Sequence, residues 1–146
     1  MGLDVGDRRV GVAVSDELGI TAQPVLTLVR TNRKQDLKSI QRLIRRFHCT
    51  AIVVGNPLYM SGDQSPQAAK AQAFAQMLRE ETGLPVHLWD ERLTTTEAHR
   101  HLHAAGRAGS EHKAVVDQVA AVLILESYLS AEKRAASESG NSTPAG

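Results

Sequence analysis

Three acidic residues lie within or directly after apolar stretches of the chain: Asp4, Glu91 and Asp117. An ionised carboxylate in an apolar setting is costly unless it is paired or binds a metal ion. Magnesium prefers oxygen ligands, and two or three carboxylates together with a substrate phosphate suit it. Paired ions roughly 4 Å apart can activate a water on one side of a phosphodiester and stabilise the leaving oxygen on the other. The three acids therefore indicate a metal-dependent nuclease, provided that folding brings them together.

Each acid also has a purely structural explanation, because an ion pair or a set of backbone hydrogen bonds satisfies a single buried carboxylate. Buried acids are rare, however, and one shared site is a better explanation than three independent structural roles. The structural alternatives are backbone amides at a strand end for Asp4, Arg92 or Arg8 for Glu91, and Lys113, one turn earlier, for Asp117.

The helical period around Asp117 indicates which way its side chain points. Asp117, Ala121, Ile124 and Tyr128 follow i, i+4, i+7, i+11 spacing, which places them in one stripe of a helix. The carboxylate is therefore expected on the same packed side as the apolar residues.

Apolar periodicity predicts the elements that must position these acids. Short Val- and Ala-rich runs predict strands, and apolar residues at three- and four-residue steps predict helices. Ser65-Pro66 supplies an N-cap and a first-turn proline, and Thr94 with Glu97 has capping-box spacing. The predicted strands cover 3–6, 9–15, 25–29, 51–55 and 86–89, and the predicted helices cover about 37–47, 66–82, the region after 94, and 111–129, the last of them largely buried.

This order of elements predicts an α/β fold with a five-stranded mixed sheet, three antiparallel strands followed by two parallel ones, flanked by helices. Asp4 and Glu91 would lie on two strands of that sheet, and Asp117 on a helix packed over it. Residues 1–130 would form a single domain, and residues 131–146, which are small and polar, a disordered tail.

Composition narrows the class of protein. The chain has 146 residues, 42% hydrophobic and 23% charged, which is ordinary for one globular domain. No apolar run approaches the roughly 18 residues that span a bilayer, and no signal region opens the chain, so we expect a cytoplasmic protein without a membrane partner. The lone Cys49 forms no internal disulfide, and no Cys/His spacing resembles a zinc site.

Charge is unevenly spread although the net value is only +1. Residues 30–46 contain seven Arg and Lys residues and a single acid, Asp36. Such a basic segment is typical either of a surface that attracts nucleic acid or of a solvated helix face, and both interpretations stay open.

Four motifs in order over residues 1–130 carry a family resemblance. They run from Asp4 to Asp16 (DVGDRRVGVAVSD), from Val53 to Leu58 (VVGNPL), from Asp90 to Thr95 (DERLTT), and from Lys113 to Ala121 (KAVVDQVAA). In this order they resemble the YqgF family. The resemblance implies a ribonuclease H-like fold related to RuvC-type resolvases. It also implies either Holliday junction resolution or maturation of the 5′ end of pre-16S ribosomal RNA, hence a role in ribosome biogenesis.

The resemblance further implies that Asp4, Glu91 and Asp117 are the catalytic, metal-binding triad of a Mg²⁺ or Mn²⁺ nuclease, because each occupies the family's acidic motif position. Basic residues near the triad could hold phosphate oxygens, with simple charge balance as the alternative. An aromatic side chain in the loop after the fourth strand could stack on a base. These candidate substrate-binding residues are Arg8, Arg9, Arg92, Lys113 and Tyr59.

Two other functions are kept as alternatives. Asp-x-Gly followed by a second glycine is similar to the phosphate hairpin of actin-like and sugar-kinase ATP-binding modules, although the chain is short for their two-domain clamp. The second alternative is a nucleic-acid-binding domain without catalytic activity. The expected partner is pre-rRNA or branched DNA, and the sequence leaves monomer and homodimer open.

Overall fold

Short apolar runs of the sequence form one sheet, and longer amphipathic segments form the helices that cover it. A computed structural model describes residues 1–93 and 109–141 of the chain, and in the second range it describes the side chains of residues 114–138. The strands are β1 (Gly2–Val5), β2 (Arg9–Ser15), β3 (Ala22–Val29), β4 (Ile52–Asn56) and β5 (Val86–Asp90), and the helices are α1 (Arg33–Phe47), α2 (Pro66–Thr82) and α3 (Gly109–Asn141).

The sheet has the strand order β3-β2-β1-β4-β5. The β1–β2 and β2–β3 pairs are antiparallel, whereas β1–β4 and β4–β5 are parallel. The predicted fold class is confirmed. Strand β3 begins at Ala22 rather than at residue 25 and includes Pro24, which an edge strand tolerates because part of its backbone has no ladder partner.

Helices α1 and α2 cover one face of the sheet. Asn32 caps α1 by accepting a hydrogen bond from the Gln35 amide, and Ser65 caps α2 in the same way through Ala68. Alternate residues of β1 point into this layer, which places the main core between the sheet and the two helices. Its fully buried members include Leu3, Val12, Ile40, Ile52, Val54 and Leu78.

Helix α3 covers the opposite face, where β1 has no bulky residue. A Cβ on Gly2 would lie 2.7 Å from the Leu125 Cβ, so glycine allows the helix to approach the strand closely. The indole of Trp89 donates a hydrogen bond to the Ser127 hydroxyl at 3.0 Å, which ties the helix to β5. The second core, Ala121 and Ile124 among its members, lies between α3 and the sheet.

Two expectations about the last helix are wrong. It does not end near residue 129, because α3 continues to Asn141. It is also only partly buried, since Val115 and Val119 are 56% and 40% exposed. Residues 132–138 are exposed but rich in Ala, Glu, Lys and Arg, which have high intrinsic helix propensity. The helix predicted after residue 94 lies outside the described residues, and the domain boundary near 130 stays a prediction.

The sequence analysis expected no apolar run that could cross a bilayer, but judged by length and composition alone, one helix could do so. The stretch Ala114–Glu138 of α3 is long enough, and an 18-residue window within it has a mean hydropathy of 1.5. The same stretch packs on the sheet through Ala121, Ile124 and Leu125, and core helices of soluble proteins meet the same criterion.

Candidate active site

Strand β1 places Asp4 between two glycines of the neighbouring strands. In the antiparallel β1–β2 ladder, Asp4 is directly opposite Gly11. On its other side β1 pairs with β4 through Leu3 and Val54, so the next residue of β4, Gly55, lies beside Asp4. Neither neighbour has a side chain, which leaves space over the sheet on the face covered by α3.

Gly11 brings Asp117 to this space. A Cβ on Gly11 would lie 1.9 Å from the carbonyl oxygen of Asp117, so the α3 backbone rests directly on the strand at this point. Because Gly11 is the cross-strand partner of Asp4, the contact sets Asp117 close to Asp4. The predicted packed orientation of Asp117 agrees with this placement.

Gly55 brings Glu91 to the other side. Glu91 begins a single 3₁₀ turn (Glu91–Leu93) directly after β5. Its Oε1 lies 3.1 Å from where a Cβ of Gly55 would be, so the carboxylate sits over β4 beside Asp4. The structure therefore brings together the three acids that the sequence singled out.

The electrostatics of Asp4 reflect this convergence. The pKa of Asp4 is raised to about 7, mainly by burial and then by the negative charges of Glu91 and Asp117. Among the described residues no hydrogen-bond donor contacts the Asp4 carboxylate, so the alternative of backbone amides as its partners is not supported. An ionised Asp4 is thus costly until a cation joins the group.

Arg9 supplies a positive charge at one member of the group. Its Nε donates to Oδ2 of Asp117 at 2.8 Å, and both side chains are largely shielded, at 30% and 23% exposure. Within residues 1–93 and 114–138, no three Asp, Glu, His or Cys side chains are already positioned to hold a metal ion together. Asp117 is bound to Arg9 instead, so a shared ion would require this carboxylate to turn from the guanidinium toward Asp4.

The other predicted substrate-binding residues are placed differently. Arg92 donates to both oxygens of Asp90, lowering the pKa of that acid, and to the Met60 carbonyl at 3.2 Å. These bonds tie the turn after β5 to the loop after β4. Tyr59 is 54% exposed in the loop after β4. Arg8 is exposed beside the site, and the Lys113 side chain lies outside the described residues.

A cavity of about 250 Å³ opens between the β1–β2 turn and α3, and Arg8, Arg9 and Asp117 contribute to its lining. A larger cavity of about 810 Å³ lies between the start of α1 and α2 and contains none of the three acids. Its size alone does not mark it as the reaction site, because four of its six charged lining residues pair with one another, Lys70 with Asp7 and Arg30 with Asp36.

Sequence reasoning missed the role of Gly55, and for Gly11 it indicated turn geometry or a close backbone approach without identifying the approaching group. Both interrupt otherwise apolar strands, and an isolated glycine inside a strand signals a close approach by another group. The pattern indicates a close approach, but it does not identify the backbone of Asp117 or the side chains of Ile124 and Glu91 as the approaching groups. The Arg9–Asp117 pair, 108 positions apart in sequence, had no local signal.

A five-stranded mixed sheet with carboxylates converging at the end of its central strand is the architecture of ribonuclease H-like nucleases. Two solved structures of Thermus thermophilus RuvC share the fold. One, in complex with a Holliday junction substrate, matches with a TM-score of 0.59 at 16% identity over 90% of this chain and 94% of that chain. The other matches with a TM-score of 0.52, also at 16% identity, over 91% and 95%.

The chain belongs to the RuvX family, also called YqgF, whose model is described as Holliday junction resolvase and matches residues 1–131. A relative from Moorella thermoacetica, named "Putative pre-16S rRNA nuclease", is 49% identical over 88% of this chain and 92% of its own length. A relative of the same name from Carboxydothermus hydrogenoformans is 44% identical over 88% and 94%. The predicted family and enzyme class, a nuclease, are confirmed.

Proposed function

We propose that this nuclease is a divalent-metal-dependent endonuclease that cuts structured nucleic acid and uses Asp4, Glu91 and Asp117 as its catalytic, metal-binding residues. The observation that carries the proposal is the position of Asp4, which faces two other carboxylates on one side of the sheet. Their charges raise the pKa of Asp4 in addition to the effect of burial. Three carboxylates gathered in a partly buried space supply the oxygen ligands that a divalent cation prefers.

The donor set fits Mg²⁺ or Mn²⁺, because all three side chains offer hard oxygen ligands. Such an ion supplies Lewis-acid activation of water and charge stabilisation at the phosphodiester. The protein fixes the positions of the ligands: β1 holds Asp4, the turn after β5 holds Glu91, and the contact on Gly11 holds the backbone at Asp117. Rigid elements position catalytic groups more accurately than loops do.

Basic residues beside the acids bind the substrate phosphates in this proposal. Arg9 and Arg8 line the cavity next to Asp117 and offer guanidinium groups suited to phosphate oxygens. Arg92 orders the rim by joining Asp90 to the Met60 carbonyl, and Lys113 is retained from the sequence prediction. The half-exposed Tyr59 ring is free to stack on an unpaired base.

Two substrates are consistent with the comparisons, and pre-16S rRNA is the one we favour. The similar proteins at 44% to 49% identity carry a pre-16S rRNA nuclease name, whereas the RuvC structure bound to a Holliday junction is similar in fold alone. Maturation of the rRNA 5′ end would place the protein in the cytoplasm and in ribosome biogenesis. Cleavage of an RNA end needs one site and is compatible with a monomer, whereas symmetric junction resolution requires paired sites, as in a homodimer.

The test compares cleavage of precursor rRNA and of a four-way DNA junction by the wild-type protein with Mg²⁺, by the wild-type protein with EDTA, and by Asp117→Asn with Mg²⁺. We expect cleavage in the first condition alone. Glu138→Gln, an exposed position on the same helix, is the matched control because it also removes one negative charge. Equal cleavage in all three conditions would refute the proposal.

The same experiment separates the alternatives. Strong binding of RNA without cleavage under any divalent ion would support a non-catalytic nucleic-acid-binding domain. Tight binding of ATP, measured by calorimetry, would support the ATP-binding module. Preference for the junction over the precursor would assign resolution rather than rRNA maturation.

A further inference from the structure

Helix α1 carries a row of four cations at four-residue spacing, Lys34, Lys38, Arg42 and Arg46, which we call the basic stripe. All four side chains are exposed. Residues four apart lie on one face of a helix, and at 1.5 Å per residue the row extends about 18 Å.

Helix stability explains only the last member of the basic stripe, Arg46, which lies in the last turn of α1 and 5.3 Å from the centroid of the Phe47 ring. Like charges at i, i+4 destabilise a helix, and α1 is held instead by its buried Ile40 and Leu43 and by its caps. In the described part of the chain, no carboxylate lies within 4 Å of any of the four cations. The acid of α1 itself, Asp36, is buried and contacts Arg30. The stripe is therefore available to an anion from outside.

The stripe begins at the end of the sheet where the three acids meet. The Arg30 amide donates to the Arg8 carbonyl at 2.8 Å, and the Arg30 guanidinium donates to the Gly6 carbonyl at 3.0 Å. These bonds fix the start of α1 against the β1–β2 turn, which also lines the cavity beside Asp117. From there α1 runs toward the opposite end of the sheet, on the face away from α3. A substrate must therefore extend past this turn to reach the stripe.

We propose that the basic stripe binds the phosphate backbone of the RNA substrate outside the cleaved bond. The inference rests on the proposed function and adds a second contact surface to it. One strand of a DNA duplex presents a phosphate about every 3.4 Å of its axis, and at a similar spacing an RNA strand presents about five phosphates or more along a row of about 18 Å. The contacts are to the backbone, so they position the RNA without reading its sequence.

The binding test measures the affinity for precursor rRNA as a function of salt concentration, in EDTA so that metal-dependent cleavage does not occur. Lys38→Gln/Arg42→Gln is compared with Lys133→Gln/Arg134→Gln, which removes the same two residue types from exposed positions on α3. We expect the slope of log affinity against log salt to fall by about 1 to 2 for the α1 pair and to stay unchanged for the α3 pair. An equal change in both variants, or none in the α1 variant, would overturn the proposal.

The cleavage test uses a long precursor and a short fragment around the cut site. For the α1 variant, we expect KM for the precursor to rise about threefold to tenfold with kcat unchanged, and cleavage of the fragment to stay normal. A changed kcat on the fragment would overturn the proposal, as would loss of affinity for junction DNA but not for RNA. Absence of any cleavage by the wild-type protein would count against the proposed function alone, because the salt slope is measured without it.

Discussion

The acids around Asp4 and the cations of the basic stripe both place like charges close together, but in opposite surroundings. The acids lie in a partly enclosed space, where burial and the neighbouring charges raise the pKa of Asp4 to about 7. The cations are exposed, and water and salt screen them from one another. The comparison shows that like charges close together are costly without a counter-ion when they are buried. Such a group is therefore suited to hold a catalytic metal ion. Exposure leaves only a weak, additive attraction, which suits substrate positioning.

The largest effect should come from Asp4→Asn, which removes the charge at the centre of the acidic group. Cleavage should fall by about 10³-fold or more, because a lost metal ligand forfeits several kcal/mol of transition-state stabilisation. The metal-free variant should nevertheless be more stable than the wild type at pH 8, because it buries no ionised carboxylate at this position. Activity assays and thermal unfolding in EDTA measure the two effects.

The sign of the pH dependence follows from the raised pKa. Folded Asp4 binds its proton up to about pH 7, whereas in the unfolded chain it releases it near 3.8. The free energy of unfolding therefore falls as pH rises between these values, by at most about 1.4 kcal/mol per pH unit. Above pH 7 this loss of stability persists unless a cation binds. The stability difference between Asp4→Asn and the wild type should grow across this window. A constant difference would contradict the shift.

Gly11→Ala should have the next largest effect, on folding. Its Cβ would meet the Asp117 backbone at 1.9 Å, and a helix backbone cannot move aside as a flexible side chain can. We expect a loss of about 2 to 3 kcal/mol in the free energy of unfolding, measured by urea denaturation. Gly55→Ala is the comparison: its Cβ would meet the flexible ends of Ile124 and Glu91, so stability should fall less. The reverse order would show that α3 is not seated on Gly11.

The sequence predicted what depends on local pattern. The strands follow from short apolar runs, and the inward orientation of Asp117 follows from a helical period that packing against the sheet enforces. The candidate acids could be selected because carboxylates in apolar runs are unusual. These features need only neighbours along the chain, and the structure agrees with them.

Features that depend on how distant elements meet could not be predicted. The ion pair between Arg9 and Asp117 is such a feature, because the two residues are 108 positions apart in the sequence. That contact exists because α3 crosses β2 at Gly11. The end of α3 was also missed, since exposed Ala, Glu, Lys and Arg residues leave helix and irregular chain close in free energy.

Arg9→Gln should have a smaller effect, on metal affinity. The guanidinium holds Asp117 and also repels an incoming cation, so its removal should tighten Mn²⁺ binding about tenfold, the equivalent of one charge-assisted hydrogen bond. Calorimetric titration without nucleic acid measures this. Arg8→Gln is the matched control, since Arg8 is an exposed arginine of the same turn. Unchanged or weaker Mn²⁺ binding in Arg9→Gln would mean that Arg9 orders Asp117 for the ion instead of competing with it.

The smallest effect should come from Tyr59, in the loop after β4. Its ring is 54% exposed, and the neighbouring Met60 is 87% exposed, so an unpaired base can reach this loop without displacing a core residue. Stacking on one base contributes about 1 kcal/mol at the low end of its range, so Tyr59→Ala should raise KM about fivefold. Tyr59→Phe keeps the ring and should behave as the wild type. If both variants raise KM equally, the hydroxyl group binds the substrate and the ring does not stack. If neither does, substrate binding depends on phosphate contacts alone, and the acids and the basic stripe together account for it.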